Sequence, residues 1–220
     1  MINIKEVERY LGYIEGADPK TYNLIESLSK EIESSIKGRC IHESFAINEF
    51  ESDSIILDNS SIVLEGKSIV NHLNGCDNVI ILACTLGVAA DRFIQSKFHL
   101  SALSGMVSDA IASDLIEQYC NQYEAKIRQT LPVGSDLTTR FSPGYGDLPL
   151  KAQKSIINKL QAHKRIGLSL NESYLMVPQK SVIAIMGISD KKLDKQNLHR
   201  CGNLSCEECS YNSSCRFKKI

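Results

Sequence analysis

Apolar residues recur through the opening stretch at Val7, Tyr10, Leu11 and Ile14, a helical spacing that ends near Gly12 or Gly16. Asp18-Pro19 then offers a side-chain cap followed by a proline suited to the first helical position. Tyr22, Leu24, Ile25, Leu28, Ile32 and Ile36 carry a second helix, which Gly38 stops. Beyond Cys40 the period shortens. Ile41, Phe45 and Ile47 precede two apolar runs, 55–57 and 62–64, and the Asp58-Asn59-Ser60-Ser61 turn between them predicts a β-hairpin. A short helix is expected over 66–73. The unbroken apolar run 79–83 reads as a buried strand, with a helix starting after Thr85.

A long helical region follows, from about residue 88 to about 130, with a break near Leu100-Ser101. Leu103, Met106, Val107, Ala110 and Ile111 share one face. Continued at about 100° per residue, that face has Asp114 near its centre and Glu117 on its flank. A carboxylate there is either paired inside the core or turned out to water, and spacing alone leaves both open. After Thr130 the chain turns irregular, with prolines and glycines up to Pro149. A helix is expected over 151–160 and strands over 174–177 and 182–188, with a polar tail from Asp190. The pattern predicts an α+β fold: a single domain over 1–190, long helices on a mostly antiparallel twisted sheet, with a cysteine-rich C-terminal appendage over 191–220.

Composition narrows the function more than the fold. The chain has 220 residues, 43% hydrophobic, with 25 basic and 26 acidic side chains and a formal net charge of −1. Disorder and coiled coil are excluded, and near-neutrality argues against a protein built to grip nucleic acid. No apolar run approaches the roughly 20 residues that cross a bilayer, and nothing at the N-terminus resembles a signal peptide. A cytoplasmic protein without nucleic-acid or membrane partners is expected. Cys40, Cys76, Cys84 and Cys120 are scattered and read as small buried hydrophobes in a reducing compartment. Cys201, Cys206, Cys209 and Cys215 crowd together and need their own explanation.

The most specific segment is Arg140-Phe141-Ser142-Pro143-Gly144-Tyr145, followed by Pro149. A Pro-Gly turn exposes backbone groups, arginine offers a forked donor for a carboxylate, and tyrosine adds a flat surface with a hydroxyl tip. Such a loop can hold an amino acid or nucleoside, although Pro-Gly turns are also common as plain turns.

These residues resemble the S-adenosylmethionine-binding loop of the cobalamin-dependent methionine synthase activation domain. Asn171-Glu172-Ser173-Tyr174-Leu175-Met176-Val177-Pro178 is similar to that family's Thr-Glu-Ser-aromatic-x-Met-x-Pro segment, and Glu117 lies on a long helix as the family's ligand-contacting glutamate does. The ordered matches span roughly residues 103 to 188 and suit a short, free-standing member. The resemblance implies that Arg140 pairs with the methionyl carboxylate and Glu117 accepts from the methionyl amino group. It also implies that the main chain around Ser142 and Gly144 bonds the adenine or methionine moiety, with Tyr145 against the ligand. Two features depart from the family. The chain has no Trp, so the family's N-terminal aspartate has no assigned counterpart, and the family tyrosine after the Met-x-Pro strand falls at Met186.

The function so implied is the S-adenosylmethionine-binding reactivation subunit of a cobalamin-dependent methionine synthase. It would support reductive methylation of cob(II)alamin, with cobalamin on a partner chain, and need no catalytic side chain of its own. The implied partners are a corrinoid-binding methyltransferase subunit and a flavodoxin- or ferredoxin-type electron donor. Cys201-x4-Cys206-x2-Cys209-x5-Cys215 has a spacing that lets four thiolates converge on zinc or an iron–sulfur cluster; a reduced tail and paired disulfides are the alternatives. Two further readings stand: a reactivator of another corrinoid methyltransferase with a redox centre in the tail, and a non-enzymatic metal-stapled binding or scaffold protein.

Overall fold

The computed structural model describes residues 2–189. The four terminal cysteines and the appendage over 191–220 lie outside the described residues.

Two helices open the chain, α1 (Ile4–Tyr10) and α2 (Pro19–Ser35). Asp18 caps α2 as its position predicts: its carboxylate accepts from the amides of Lys20 and Thr21 at 3.0 and 3.1 Å, and Pro19 follows at the first helical position. β1 (Arg39–Phe50) comes next, then the predicted hairpin, β2 (Ser54–Leu57) with β3 (Val63–Glu65), and the short α3 (Lys67–His72). β4 (Asn78–Thr85) leads into α4 (Val88–Leu100) and α5 (Ala102–Thr130). Ser101, in extended conformation, breaks the helical run where expected, and its hydroxyl caps α5 by accepting from the Ser104 amide. The rest comprises β5 (Asp136–Leu137), α6 (Ala152–Lys159), α7 (Ala162–Arg165), β6 (Ser169–Leu170), β7 (Met176–Val177) and β8 (Ser181–Ser189).

The six-stranded sheet has the order β3-β2-β1-β4-β8-β5, and every pairing is antiparallel. β1 pairs with β4 along its first part and with β2 from Ile47 onward, the latter pairing interrupted by an irregularity between Ile47 and Glu49. The central strand β4 is buried on both faces, which explains its unbroken apolar run. Alternation then sorts its side chains. Ile80, Leu82 and Cys84 join a core with α1, α2, α4 and α5, whereas Val79, Ile81 and Ala83 join a second core with α3, α6 and α7.

Three expectations are corrected. Leu103 and Met106 are 40% and 56% exposed, because the buried arc of α5 lies further round the helix, toward Val107, Ile111 and Leu115. The strand expected over 174–177 shrinks to β7, since Tyr174 turns in the left-handed region at φ 61°. Cys40 and Cys84 are not free thiols: they face each other across β1 and β4 and form a disulfide. A sequence separation of 44 residues hid that neighbourhood. Cys76 and Cys120 are free and buried, as expected.

Candidate functional site

Arg140 lies just beyond β5, where the chain runs alongside β8 and Phe141 exchanges both backbone hydrogen bonds with Ile185. That bridge aims the Arg140 side chain at α5. Its Nη2 donates to Glu117 Oε2 at 3.0 Å and to Asn121 Oδ1 at 2.8 Å, and its Nε lies 3.6 Å from Glu124 Oε2. Residues 117, 121 and 124 recur at helical spacing and form one stripe, so a single guanidinium meets all three. Nη1 is buried with no hydrogen-bond partner among the described residues. Glu124 also accepts from Arg128, which reaches Asp136 and extends the network to β5.

The carboxylates on α5 have opposite settings. Asp114, at 2% exposure, accepts from the Asn3 amide at 2.8 Å and from Gln118, and burial raises its pKa above the usual carboxylate range. Glu117 is half-exposed and faces Arg140. Tyr10 stands nearby on α1, its phenol pKa raised first by burial and then by the charge of Glu117. Cys120, tucked beside Arg140, has its thiol pushed up to about 12, chiefly by burial. It is a poor nucleophile.

The loop that continues from Phe141 is closed on itself. The Gly144 amide donates to the Leu148 carbonyl at 2.9 Å, Tyr145 to Ser142 at 3.1 Å, and Leu148 back to Tyr145 at 3.2 Å. Gly144 sits at φ 95°, which L side chains rarely adopt. Its amide is used within the loop, whereas its carbonyl and the Ser142 amide make no backbone hydrogen bond among the described residues. Tyr145 is 65% exposed at the apex.

The segment 171–178 supplies the turn and second strand of a tight β6–β7 hairpin, its turn held by Asn171 Oδ1 accepting from the Ser173 and Leu175 amides. Tyr174 from this hairpin and Pro149 from the loop line one open groove of about 440 Å³, together with Glu65, Lys151 and Lys154. Arg140 and Glu117 are not part of that groove. Met186, where the family tyrosine was expected, is fully buried between the sheet and its helices. Asn121 and Glu124 escaped the sequence reading, although their spacing from Glu117 pointed to them. Among the described residues no cluster of three His, Cys, Asp or Glu side chains could hold a metal ion, and no helix is long and apolar enough to cross a membrane.

The sequence model described as "Vitamin B12 dependent methionine synthase, activation domain" matches residues 70–209, more than half of the chain. A crystal structure of the MetH reactivation domain bound to AdoHcy has the same fold, with a TM-score of 0.66 at 14% identity. The alignment covers 94% of this chain and 78% of that one. No curated protein matches the sequence.

Proposed function

Because this chain belongs to the activation-domain family of vitamin B12-dependent methionine synthase, we propose that it binds S-adenosylmethionine and presents the sulfonium methyl group to a corrinoid held by a separate chain. The observation that carries this reading is the Arg140–Glu117 pair: a guanidinium with an unmet Nη1, and a half-exposed carboxylate beside it. A methionyl zwitterion inserts between them. Its carboxylate takes Arg140 and its ammonium takes Glu117, so one ion pair becomes two and no charge is left uncompensated. Asn121 and Glu124 keep the guanidinium in place during the exchange. The Ser142 amide and the Gly144 carbonyl, which make no backbone hydrogen bond among the described residues, offer the ligand a donor and an acceptor, and Tyr145 supplies a flat face for the rest of it.

The bound corrinoid supplies the nucleophile that accepts the methyl group. The residues of this chain bind and orient the donor, and no general acid or base is needed from them. The partners in this reading are a corrinoid-binding methyltransferase subunit and a flavodoxin- or ferredoxin-type electron donor. Cys201, Cys206, Cys209 and Cys215 form a metal centre in the same reading, suited by their spacing to zinc or an iron–sulfur cluster.

Titration calorimetry with S-adenosylmethionine tests the ligand. Arg140→Ala should weaken binding by about 2 kcal/mol, the worth of a charge-assisted hydrogen bond, and Glu117→Gln should weaken it through loss of the ammonium contact. Absence of heat with the wild-type protein at millimolar ligand defeats the reading.

A further inference from the structure

The loop carrying Gly144 and Tyr145 is tied to a distant helix by a contact that its own sequence does not announce. α3 begins at Gly66, which has no side chain to cap the helix, so its first amides must find an acceptor elsewhere. They find Asp147. Oδ2 of Asp147 accepts from the Lys67 amide at 2.8 Å and Oδ1 from the Ser68 amide at 2.9 Å, across about 80 residues of chain. Both contact points are glycine for a steric reason. A Cβ on Gly66 would lie 2.6 Å from Asp147 Oδ1, and a Cβ on Gly146 would lie 2.6 Å from Ser68 Oγ. A serine or aspartate at residue 66 would cap α3 locally but would also displace Asp147.

We infer that Asp147 is a positioning residue for the ligand: by capping α3 from outside, it fixes the backbone from Ser142 to Leu148 in the conformation that offers Tyr145 and the Gly144 carbonyl. The inference rests on the proposed S-adenosylmethionine reading. At one end the loop is fixed by the Phe141–Ile185 bridge, and at the other by Leu148, 1% exposed in the second core. Between them, three internal backbone bonds and the Asp147 cap hold the loop closed. The amides of α3 hold the Asp147 carboxyl below the usual carboxylate range, so the cap is charged at neutral pH.

Amide hydrogen exchange combined with S-adenosylmethionine calorimetry on Asp147→Asn tests this. The asparagine turns an N–H toward one of the two donors, so at least one bond is lost. Exchange at Lys67, Ser68 and Gly144 should quicken at least tenfold, and affinity should fall at least tenfold with Arg140 and Glu117 untouched. If Lys67 and Ser68 exchange faster while Gly144 exchange and affinity stay at wild-type values, Asp147 merely caps α3 and the inference is overturned. Failure of the wild-type protein to bind the ligand would defeat the functional reading instead, and Gly144 exchange would still decide whether Asp147 orders the loop. Should Asp147→Asn not fold, Gly146→Ala keeps the carboxylate but drives a methyl into Ser68. It should produce the same faster Gly144 exchange and lower affinity, and wild-type values for both would equally overturn the inference.

Discussion

Asp114 and Glu117 lie three residues apart on α5, and their environments divide the work of the helix. Asp114 secures the N-terminus by accepting from the Asn3 amide, and its burial raises the cost of ionising it. With its folded pKa above the unfolded value, it favours the native state most at low pH. That contribution is lost as pH rises from the unfolded value through the folded one. Asp114→Asn keeps an oxygen for Asn3 and removes the titration. Its stability relative to wild type should therefore rise between about pH 3.5 and neutrality, a trend that urea unfolding at both ends of the range measures. A flat difference would show that Asp114 ionises as easily folded as unfolded. The helical period placed Asp114 on the buried face and Glu117 on its flank, and both positions hold. The same period misplaced Leu103 and Met106, since the buried arc of α5 lies further round the helix, toward Val107, Ile111 and Leu115.

Among the elements, those bounded by local chemistry were legible. Asp18-Pro19 opens α2, Ser101 separates α4 from α5, and the 58–61 turn joins β2 to β3. Asp18→Ala should lower stability, because the Lys20 and Thr21 amides lose their side-chain cap. Chemical denaturation checks the direction, and ligand affinity should stay unchanged because the bonds of Asp18 go to Lys20 and Thr21, neither of them a candidate site residue. α3 shows the opposite case: its cap comes from Asp147, and no window around Gly66 contains it. The 171–178 segment also escaped, because Asn171 folds the chain back before a strand can extend.

At the scale of the whole molecule, the sheet brings Arg140 to Glu117. Phe141 reaches its place by pairing with β8, and that pairing directs Arg140 onto α5. Arg140, its partners on α5 and the loop that follows it meet within residues 117–185, and the family match continues to residue 209. A chain ending after Ser189 should keep S-adenosylmethionine affinity within a few fold, as read by calorimetry. The full chain purified anaerobically should carry one metal centre that the shortened chain lacks. An iron–sulfur centre would absorb at about 400 nm and bleach with dithionite, whereas zinc would be colourless and leave, at about one equivalent, when the thiols are modified. A large loss of affinity on shortening would place the tail in the ligand site.

Sequence by itself determined the α+β class, most of the helices and the hairpin, and singled out Arg140, Glu117, Gly144 and Tyr145 as candidates, because periodicity, caps and a dense motif are short-range signals. Tertiary structure alone decided that Cys40 meets Cys84, that Asn121 and Glu124 share Arg140 with Glu117, and that Asp147 caps α3. Each of those contacts joins segments far apart in the chain. Their proximity depends on strand register and helix packing, which no local window of residues encodes.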